Sequence, residues 1–348
     1  MLRRPAKTNS RITLKEIAHL AEVSVSAASF VLSGQAEERR ISAEVAARVR
    51  RVAEEQGYIP NLLVRSILNG RTNVISFYNA FTYRTANDIY MDRIRAAVEL
   101  SAGAHGYDVL IHCDQRRTAH EIFQMLGGGF CDGLLFFGTP DNSELLDLLR
   151  GARLPTVLLN HTDAQGILPF VSDDYRGGLR QVAKALVQCG HRRIAAFVGN
   201  PSFDGPMRVA ALKESLREYG VELRDSQIIE VYEQHRSPDD GLRFLMDSPE
   251  PPTALFCWHD RLGYETLEAC ERLGIDVPRH LSLVGYDGLH WPSTSPHILT
   301  SVRIPLESAA EMAVALLNDL VEGRHTGETG LSYPVTLLKG ATLASSPG

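Results

Sequence analysis

The chain has 348 residues, a formal net charge of −6 and a hydrophobic fraction of 44%, a composition typical of a soluble globular protein. This length is too great for one ordinary core, so two or three compact units are expected. No run of about 18 apolar residues is present to span a bilayer, and no apolar stretch follows the basic start as in a secretory signal. The sequence therefore favours a cytoplasmic protein.

Charge is distributed unevenly along the chain. Residues 1–72 contain 12 Lys and Arg against 7 Asp and Glu, a net charge of +5, whereas residues 73–348 contain 24 against 35, a net charge of −11. Attraction to a polyanion would then be confined to the N-terminal part, and the acidic remainder would be repelled from phosphate.

Two short helices are predicted within residues 12–34. Thr13 is followed three residues later by Glu16, which is the spacing of a capping box, so the first helix begins directly after Thr13. Ser24 is a suitable N-cap for the second helix. An ordinary helical hairpin and a helix-turn-helix both fit this pattern. In a helix-turn-helix, the outward face of the second helix enters the major groove of DNA.

A third helix is predicted to begin at Ser42, because Val45, Val49 and Val52 follow at helical spacing and a glycine ends the pattern. Residues 61–72 form a helix-compatible segment that is too short to be stable alone. This segment would become ordered only against a partner.

Beyond residue 73, short β-rich runs alternate with helical stretches. Such alternation predicts a parallel, doubly wound sheet, and the number of strands is enough for two of them. The fold class is therefore a small all-α unit followed by an α/β unit. The β-rich runs are NVISFY, YDVLIHC, GLLFFG, PTVLLN, RIAAFVG, TALFCW and LSLVGYDG.

Polar side chains follow several of these predicted strands, and ligands of open α/β sheets sit beyond the carboxyl ends of the strands. A carboxylate, an arginine and an aromatic face together suit a polyol, because hydroxyl groups need fixed acceptors and donors. Asp287 would otherwise cap a turn, and Trp258 would otherwise lie in the core. The candidates at strand ends are Asn160, His161, Trp258, His259, Asp260 and Asp287.

No catalytic or metal-binding motif is present. The sequence has no Walker motif, no G-x-S-x-G elbow and no His/Glu pair at the spacing of metal ligands. The five cysteines are scattered without a C-x-x-C pair, which predicts reduced thiols and no zinc site. We therefore expect neither an enzyme nor a protein with a bound metal or cofactor.

Several stretches together resemble one family. Residues 12–34, with GYIPN at 57–61 and VRSI at 64–67, closely resemble the DNA-binding headpiece of the lac repressor and galactose repressor family. The motifs VSDD at 171–174 and VGYD at 284–287 resemble its effector domain. That domain is built like a periplasmic sugar-binding protein, with two doubly wound parallel-sheet lobes and three crossovers.

The resemblance implies a set of domain boundaries. The helix-turn-helix headpiece would span residues 1–60, the hinge helix and linker 61–72, and the effector-binding and dimerisation domain 73–340. Lobe 1 would comprise about 73–170 and 298–330, and lobe 2 about 171–297 and 331–345.

The resemblance also implies which residues contact DNA. In the family, a leucine of each hinge is inserted into the minor groove, and Ile67 stands at that position. Phe30 replaces a frequent arginine and Glu22 the usual turn glycine, which implies lower or redistributed phosphate affinity. Phe30 would contact a thymine methyl group or pack on the hinge. The implied DNA-binding residues are Thr13, Leu14, Lys15, Ser24, Val25, Ser26, Ser29, Phe30, Ser42, Asn61, Val64 and Ile67.

For the effector site, Arg208 and Asp287 match the paired contact residues of the family. His259 stands where the family often has asparagine, which bears on the identity of the ligand. Arg208 as an ordinary surface salt-bridge residue is the alternative. The implied effector-binding residues are Asn160, Arg208, Trp258, His259, Asp260 and Asp287.

The expected function is a homodimeric transcriptional repressor. It would bind a pseudo-palindromic operator on double-stranded DNA, and a small-molecule effector between the lobes would change that affinity. A sugar or sugar derivative is the first expectation, and a purine or other corepressor the second. A solute-binding protein and an α/β enzyme are the rival classes, but the headpiece pattern disfavours both.

Overall fold

The structure is a computed structural model. It describes residues 12–59, 70–80, 88–112, 116–138, 142–163, 165–199, 204–232, 237–324, 327 and 329–347. The chain divides into two compact units, residues 1–72 and 73–348. Within the described ranges, no helix is both long and apolar enough to cross a membrane.

The first unit contains three helices, α1 (Leu14–Leu20), α2 (Val25–Leu32) and α3 (Ala43–Glu55). The predicted capping box is confirmed. The backbone N–H of Thr13 donates to the Glu16 carboxylate at 2.7 Å, and the Thr13 hydroxyl accepts from the Glu16 N–H at 3.3 Å. The hydroxyl oxygens of Ser24 and Ser42 cap α2 and α3 by accepting from the backbone N–H groups of Ala27 and Val45. These caps satisfy backbone donors that a helix start leaves without intrahelical partners.

The second unit contains two six-stranded sheets flanked by helices. The helices of the first lobe are α4 (Ile89–Ala104), α5 (Ala119–Leu126), α6 (Ser143–Arg150) and α11 (Leu306–Val321), and those of the second lobe are α7 (Tyr175–Gln188), α8 (Gly205–Arg217), α9 (Pro238–Met246) and α10 (Asp260–Leu273).

The first sheet has the strand order β11-β5-β4-β3-β1-β2 and is parallel throughout. Its side chains on strands such as β3 are buried, as expected where helices cover both faces. Its strands are β1 (Val74–Asn79), β2 (Asp108–His112), β3 (Gly133–Phe137), β4 (Thr156–Leu159), β5 (Phe170–Asp173) and β11 (Gly330–Tyr333).

The second sheet has the order β12-β10-β9-β8-β6-β7 and is parallel except for β12, which runs antiparallel to β10. Its strands are β6 (Ile194–Val198), β7 (Ile228–Glu230), β8 (Ala254–Cys257), β9 (Ser282–Asp287), β10 (Thr300–Arg303) and β12 (Thr336–Leu338).

The chain passes between the lobes after β5, after β10 and after β11, so the strands divide at slightly different boundaries from those expected. Residues 170–173 and 330–333 pair in the first sheet, whereas residues 300–303 pair in the second. The expected boundaries at 171, 298 and 331 therefore each lie one strand too early. The reason is that each crossover follows a completed strand, whereas the sequence pattern does not reveal which sheet that strand joins.

A buried ion pair fixes the loop after β4 in the first lobe. Arg150 donates to one carboxylate oxygen of Asp163 from Nε at 3.1 Å and from Nη2 at 2.6 Å. The backbone N–H groups of Gln165, Ile167 and Leu168 donate to the same carboxylate. Burial raises the pKa of Asp163, but these five hydrogen bonds outweigh it and hold the pKa well below its ordinary value.

We expect Asp163→Ala to lower the free energy of unfolding by about 3 kcal/mol, because a partly buried arginine and three N–H groups lose their acceptor. The depressed pKa means that this stabilisation is present above about pH 4 and is lost as the pH falls toward the folded-state value. Thermal unfolding from pH 3 to pH 7 measures both effects.

Asp147→Ala is the matched control, because Asp147 pairs with the same arginine but its side chain is 65% exposed. An exposed pair contributes about 0–1 kcal/mol. Equal losses for the two variants would contradict the assignment of Asp163 as the stabilising partner.

Candidate nucleic-acid interface and ligand cleft

The first turn of α2 presents an exposed surface on the N-terminal unit. Ser24, Val25 and Ser26 are exposed, and Val25 keeps 45% of its accessible surface. Ser29 and Phe30, one turn later, are half-buried. Small side chains at the start of a helix allow its backbone to approach a partner closely.

The turn before α2 depends on an unusual backbone conformation at Glu22. Its φ is 54°, in the left-handed region that a residue with a Cβ adopts at a cost. The turn is held by a hydrogen bond from the Val23 N–H to the Ala18 carbonyl at 2.9 Å. The α1–α2 geometry is therefore reached without the glycine that avoids this cost.

Two arginines of the N-terminal unit take specific positions. Arg48 of α3 donates from Nε to the carbonyl of Ala21 at the end of α1, at 3.0 Å, so it ties two helices together. The Arg39 guanidinium lies 4.6 Å from the centre of the Phe30 ring, within cation–π range. Sequence reasoning found neither contact.

The remaining expected DNA-contact residues belong to α1, to the start of α3 or to the segment after residue 59. Thr13 and Lys15 are exposed, Leu14 is half-buried, and Ser42 is exposed at the start of α3. Three others lie outside the described residues: Asn61, Val64 and Ile67.

Arg208 is the centre of a candidate ligand cleft in the second unit. It lies on the first turn of α8, and its side chain is 7% exposed. Nη1 donates to the Trp258 carbonyl at 2.6 Å and to Asp287 at 3.4 Å, while Nη2 pairs with Asp204 at 2.6 Å. The guanidinium carbon lies 4.0 Å from the centre of the Tyr286 ring.

Asp287 ends β9 in a strained conformation, with a φ of 116°. Its backbone carbonyl accepts from the Ile304 N–H at 3.1 Å, which ties the strand end to the chain after β10. Burial raises the pKa of its carboxyl well above the ordinary value, and the neighbouring Arg208 opposes that shift. The structure therefore brings the two predicted partners Arg208 and Asp287 together.

Trp258 and His259 follow β8. Trp258 is buried in the hydrophobic core of the second unit, which is the alternative that the sequence left open, and its ring lies directly behind His259. Their ring centres are 4.2 Å apart. The Trp258 ring packs on the backbone at Gly199 and Gly205, where an added Cβ would come within 2.8 and 3.3 Å of the ring. His259 Nδ1 accepts from the Leu262 N–H at 2.9 Å, so the ring proton resides on Nε2.

Burial lowers the pKa of His259 to about 3, and the positive charge of Arg208 adds to the effect. The imidazole is therefore neutral at physiological pH. A neutral ring with a proton on Nε2 is a hydrogen-bond donor that adds no charge to the cleft.

Asn160 lies on the first-lobe side, directly after β4, with a left-handed φ of 53°. Its Oδ1 accepts from the Tyr333 hydroxyl at 2.5 Å, and its Nδ2 donates to the Tyr90 hydroxyl. The charges of Asp287 and Arg208 both act on Tyr90, which shows that this cluster lies near the second-lobe ion pair. Sequence reasoning missed Tyr90 and Tyr333, because neither follows a predicted strand in an interpretable motif.

The two lobes are joined beneath Arg208 by a hydrogen bond. The hydroxyl of Tyr286, on β9, donates to Asp173 at the end of β5, at 2.6 Å. Because the Tyr286 ring also lies against Arg208, one side chain contacts both the cleft cation and the first lobe.

Asp260 takes a different position from the one expected. It is fully buried in the second lobe, where its carboxylate accepts from the Leu289 N–H at 2.6 Å and the Ser301 hydroxyl at 2.5 Å. Burial raises its pKa to about 7. As the first residue of α10 it points into the lobe, so it holds the β9–β10 connection and does not line the cleft.

His161 and His191 are both outside the group of cleft contacts. Burial lowers the pKa of each. His191 bonds Thr253 at 2.9 Å and the Ala344 carbonyl at 3.0 Å, which makes it a packing residue for the chain end. Among the described residues, no group of three or more His, Cys, Asp or Glu side chains is arranged to hold a metal ion.

The cleft as described can bind a polar molecule. It offers carboxylate acceptors, a neutral imidazole donor and phenol hydroxyls, which together suit a ligand with several hydroxyl groups.

The chain is similar to known proteins along nearly its whole length. Residues 13–61 match the model of bacterial regulatory proteins of the lacI family, and residues 183–343 match the periplasmic binding protein-like domain. The HTH-type transcriptional repressor PurR of Pectobacterium carotovorum subsp. carotovorum (strain PC1) is 26% identical over 344 residues, which cover 96% of this chain and 98% of that protein.

Two solved structures have the same fold. The lac repressor dimer bound to operator and the anti-inducer ONPF has a TM-score of 0.80 at 21% identity, covering 96% of this chain and 100% of that chain. The complex of the transcriptional regulator CelR with cellobiose has a TM-score of 0.67 at 24% identity, covering 95% of this chain and 100% of that chain. With a helix-turn-helix unit that matches the lacI family and a two-lobed α/β unit similar to those of lacI-family repressors, the chain is a DNA-binding transcriptional regulator, not an enzyme.

Proposed function

We propose that this regulator is a homodimeric repressor that acts in the cytoplasm on a pseudo-palindromic operator. A small molecule, a sugar or sugar derivative, binds between the two lobes and changes operator affinity. The observation that carries the proposal is the buried Arg208–Asp287 pair, which lies where side chains of both lobes meet. The structural relative that binds cellobiose supports a sugar as the ligand class.

On the DNA side, the proposal rests on the exposed start of α2. Val25 and Ser26 would face the base edges, with Ser29 and Phe30 one turn further along. None of these side chains can make a bidentate base contact, so direct readout would combine single hydrogen bonds with apolar contacts. A two-fold dimer of such units matches a two-fold operator.

On the ligand side, the proposal rests on the chemistry of the cleft. Arg208, Asp287 and Asn160 would hold hydroxyl groups, and His259, supported by the buried ring of Trp258, would donate from Nε2. Asp260 acts only by supporting the strand ends from inside the lobe.

Coupling between ligand and operator follows from linkage. A ligand that favours one arrangement of the lobes changes DNA affinity by the same factor by which DNA changes ligand affinity. The hydrogen bond from Tyr286 to Asp173 is the part of the cleft that joins the lobes directly, so it is suited to transmit this preference.

The first test is to incubate the purified chain with sheared genomic DNA at near-physiological salt and to sequence the retained fragments. We expect enrichment of one short palindrome, because a symmetric pair of helix-turn-helix units reads two half-sites. The same protein without residues 1–72 is the control and should retain none. Enrichment that persists after this deletion would contradict the assignment of the N-terminal unit as the DNA-binding unit.

Phe30→Arg tests the orientation of α2. We expect higher operator affinity and a plot of log K against log salt that is steeper by about 0.9, because one more cation would neutralise a phosphate. Phe30→Met is the matched control, since it keeps an apolar side chain. An unchanged slope for the arginine variant would mean that position 30 does not reach the DNA backbone.

Tyr286→Phe tests the connection between the lobes. The variant keeps the ring against Arg208 but removes the hydroxyl that bonds Asp173. We expect ligand affinity to change by less than about threefold, while the factor by which ligand changes operator affinity falls from the usual range of about 5–150 toward 1. Titrations of tryptophan fluorescence and of operator binding measure the two quantities separately.

Tyr264→Phe is the control for that experiment. Tyr264 is also buried in the second lobe, but its hydroxyl bonds His290 at 2.9 Å within the same lobe. This variant should keep full coupling. Equal loss of coupling in both variants would indicate a general effect of removing a buried hydroxyl.

A further inference from the structure

We infer that the cleft selects a hydrogen-bond-donating ligand without negative charge, and that Asp204 is the residue that sets this preference. The inference rests on the proposed function, because it takes the cleft around Arg208 as the effector site. It excludes phosphorylated and carboxylated sugars, and it admits uncharged polyols and molecules with an ammonium group.

Asp204 occupies the N-cap position of α8 but does not cap the helix. Aspartate at an N-cap usually accepts a hydrogen bond from a backbone N–H two or three residues later. No such side-chain bond is present here. The carboxylate instead pairs with Nη2 of Arg208, one turn along the helix, at 2.6 Å. The position of Asp204 is therefore determined by the cleft and not by the helix start.

The contacts of Arg208 leave it poorly suited to hold an anion. Arginine binds phosphate and carboxylate groups best through two parallel N–H donors. Both terminal nitrogens of Arg208 already have protein partners: Nη1 bonds Trp258 and Asp287, and Nη2 bonds Asp204. The Tyr286 ring lies against the guanidinium, whose side chain is 7% exposed. A ligand anion would compete with the carboxyl groups of Asp287 and Asp204 for the same guanidinium.

The ionisable groups around this part of the cleft are mainly acidic. Asp287, Asp173 and Asp204 all raise the pKa of Tyr90 across the cleft, whereas Arg208 is the cation that lowers it. His259 adds no positive charge, because its ring is neutral. A negatively charged ligand placed here would lie close to several acidic groups in a poorly solvated site, which is strongly unfavourable.

The same arrangement favours ligands that donate hydrogen bonds. Burial raises the pKa of Asp204, and the charge of Arg208 opposes that shift and favours the ionised form. An ionised carboxylate only accepts hydrogen bonds, and the Asp204 side chain keeps 38% of its surface exposed. A hydroxyl or ammonium group can reach it without breaking the pair with Arg208. Replacing Asp204 by asparagine would keep an oxygen for Arg208 but would remove one negative charge and add a donor.

Inorganic phosphate is the probe for the first experiment, with the full chain and its tryptophan fluorescence as the readout. The chain has two tryptophans, Trp258 directly behind His259 and Trp291 in the same unit, so phosphate bound to the N-terminal unit gives no direct signal. Chloride replaces phosphate at each step to hold the ionic strength constant.

We expect no saturable phosphate signal from the native chain and a saturable one from Asp204→Asn. The apparent phosphate affinity of this variant should be at least tenfold higher than the weakest affinity that the titration of the native chain could detect. The double variant Asp204→Asn with Arg208→Gln should lose the signal. Asp225→Asn is the matched control, because Asp225 is a carboxylate of the same lobe that pairs with Lys213 and is 90% exposed. Saturable binding to the native chain that depends on Arg208, or no gain in Asp204→Asn, would overturn the inference.

A second experiment separates this inference from the proposed function. A bacterial metabolite extract is divided on an anion-exchange resin, and each fraction is tested for its effect on operator binding. We expect activity in the unretained fraction. Activity only in the retained, anionic fraction would overturn the charge preference while leaving effector control of operator binding in place. If no fraction changes operator binding, effector control itself is contradicted. The phosphate comparison still decides the role of Asp204 in that case.

Discussion

The buried charge of Arg208 is the constraint on which the cleft depends. A guanidinium that is nearly removed from water is tolerated only where its donors and its charge are matched. The partners come from three separate segments: Trp258 after β8, Asp287 at the end of β9, and Asp204 at the start of α8. Satisfying one side chain therefore fixes three strand and helix ends relative to each other, and the strained φ of Asp287 persists because this network determines it.

This network also explains how an event in the cleft reaches the first lobe. Tyr286 lies against Arg208 and donates to Asp173, the last residue of β5 before the first crossover. A ligand that changes the position of Arg208 must change the packing of that ring or leave its hydrogen bond strained. Cores and interfaces of close-packed side chains shift between discrete arrangements, so a small displacement here favours one lobe geometry over another.

Local features were predictable from the sequence, and features that depend on distant partners were not. The capping box at Thr13 and Glu16 and the caps at Ser24 and Ser42 follow from spacing alone, because the partner is three residues away. Arg208 and Asp287 are separated by 79 residues, so their pairing was available only through resemblance to a family. Tyr90 and Tyr333 were missed because neither follows a predicted strand. Asp204 was missed although Arg208 is only four residues away, because an acid–arginine pair at that spacing is usually a solvated surface pair. Asp260 was misassigned, because position at a strand end does not reveal whether a side chain faces the cleft or the lobe interior.

The N-terminal unit is built under a different constraint, which is size. Six of the nine buried residues in its core are alanine, and the larger ones are Ile17, Val31 and Val49. Small side chains let the three helices approach closely, but they bury little apolar surface, and a unit of this size is only marginally stable. The hydrogen bond from Arg48 to the Ala21 carbonyl and the helix caps therefore contribute a large share of its stability. A substitution on α2 can lower operator affinity by unfolding this unit as well as by removing a DNA contact, and salt dependence distinguishes the two because only a lost phosphate contact changes the slope.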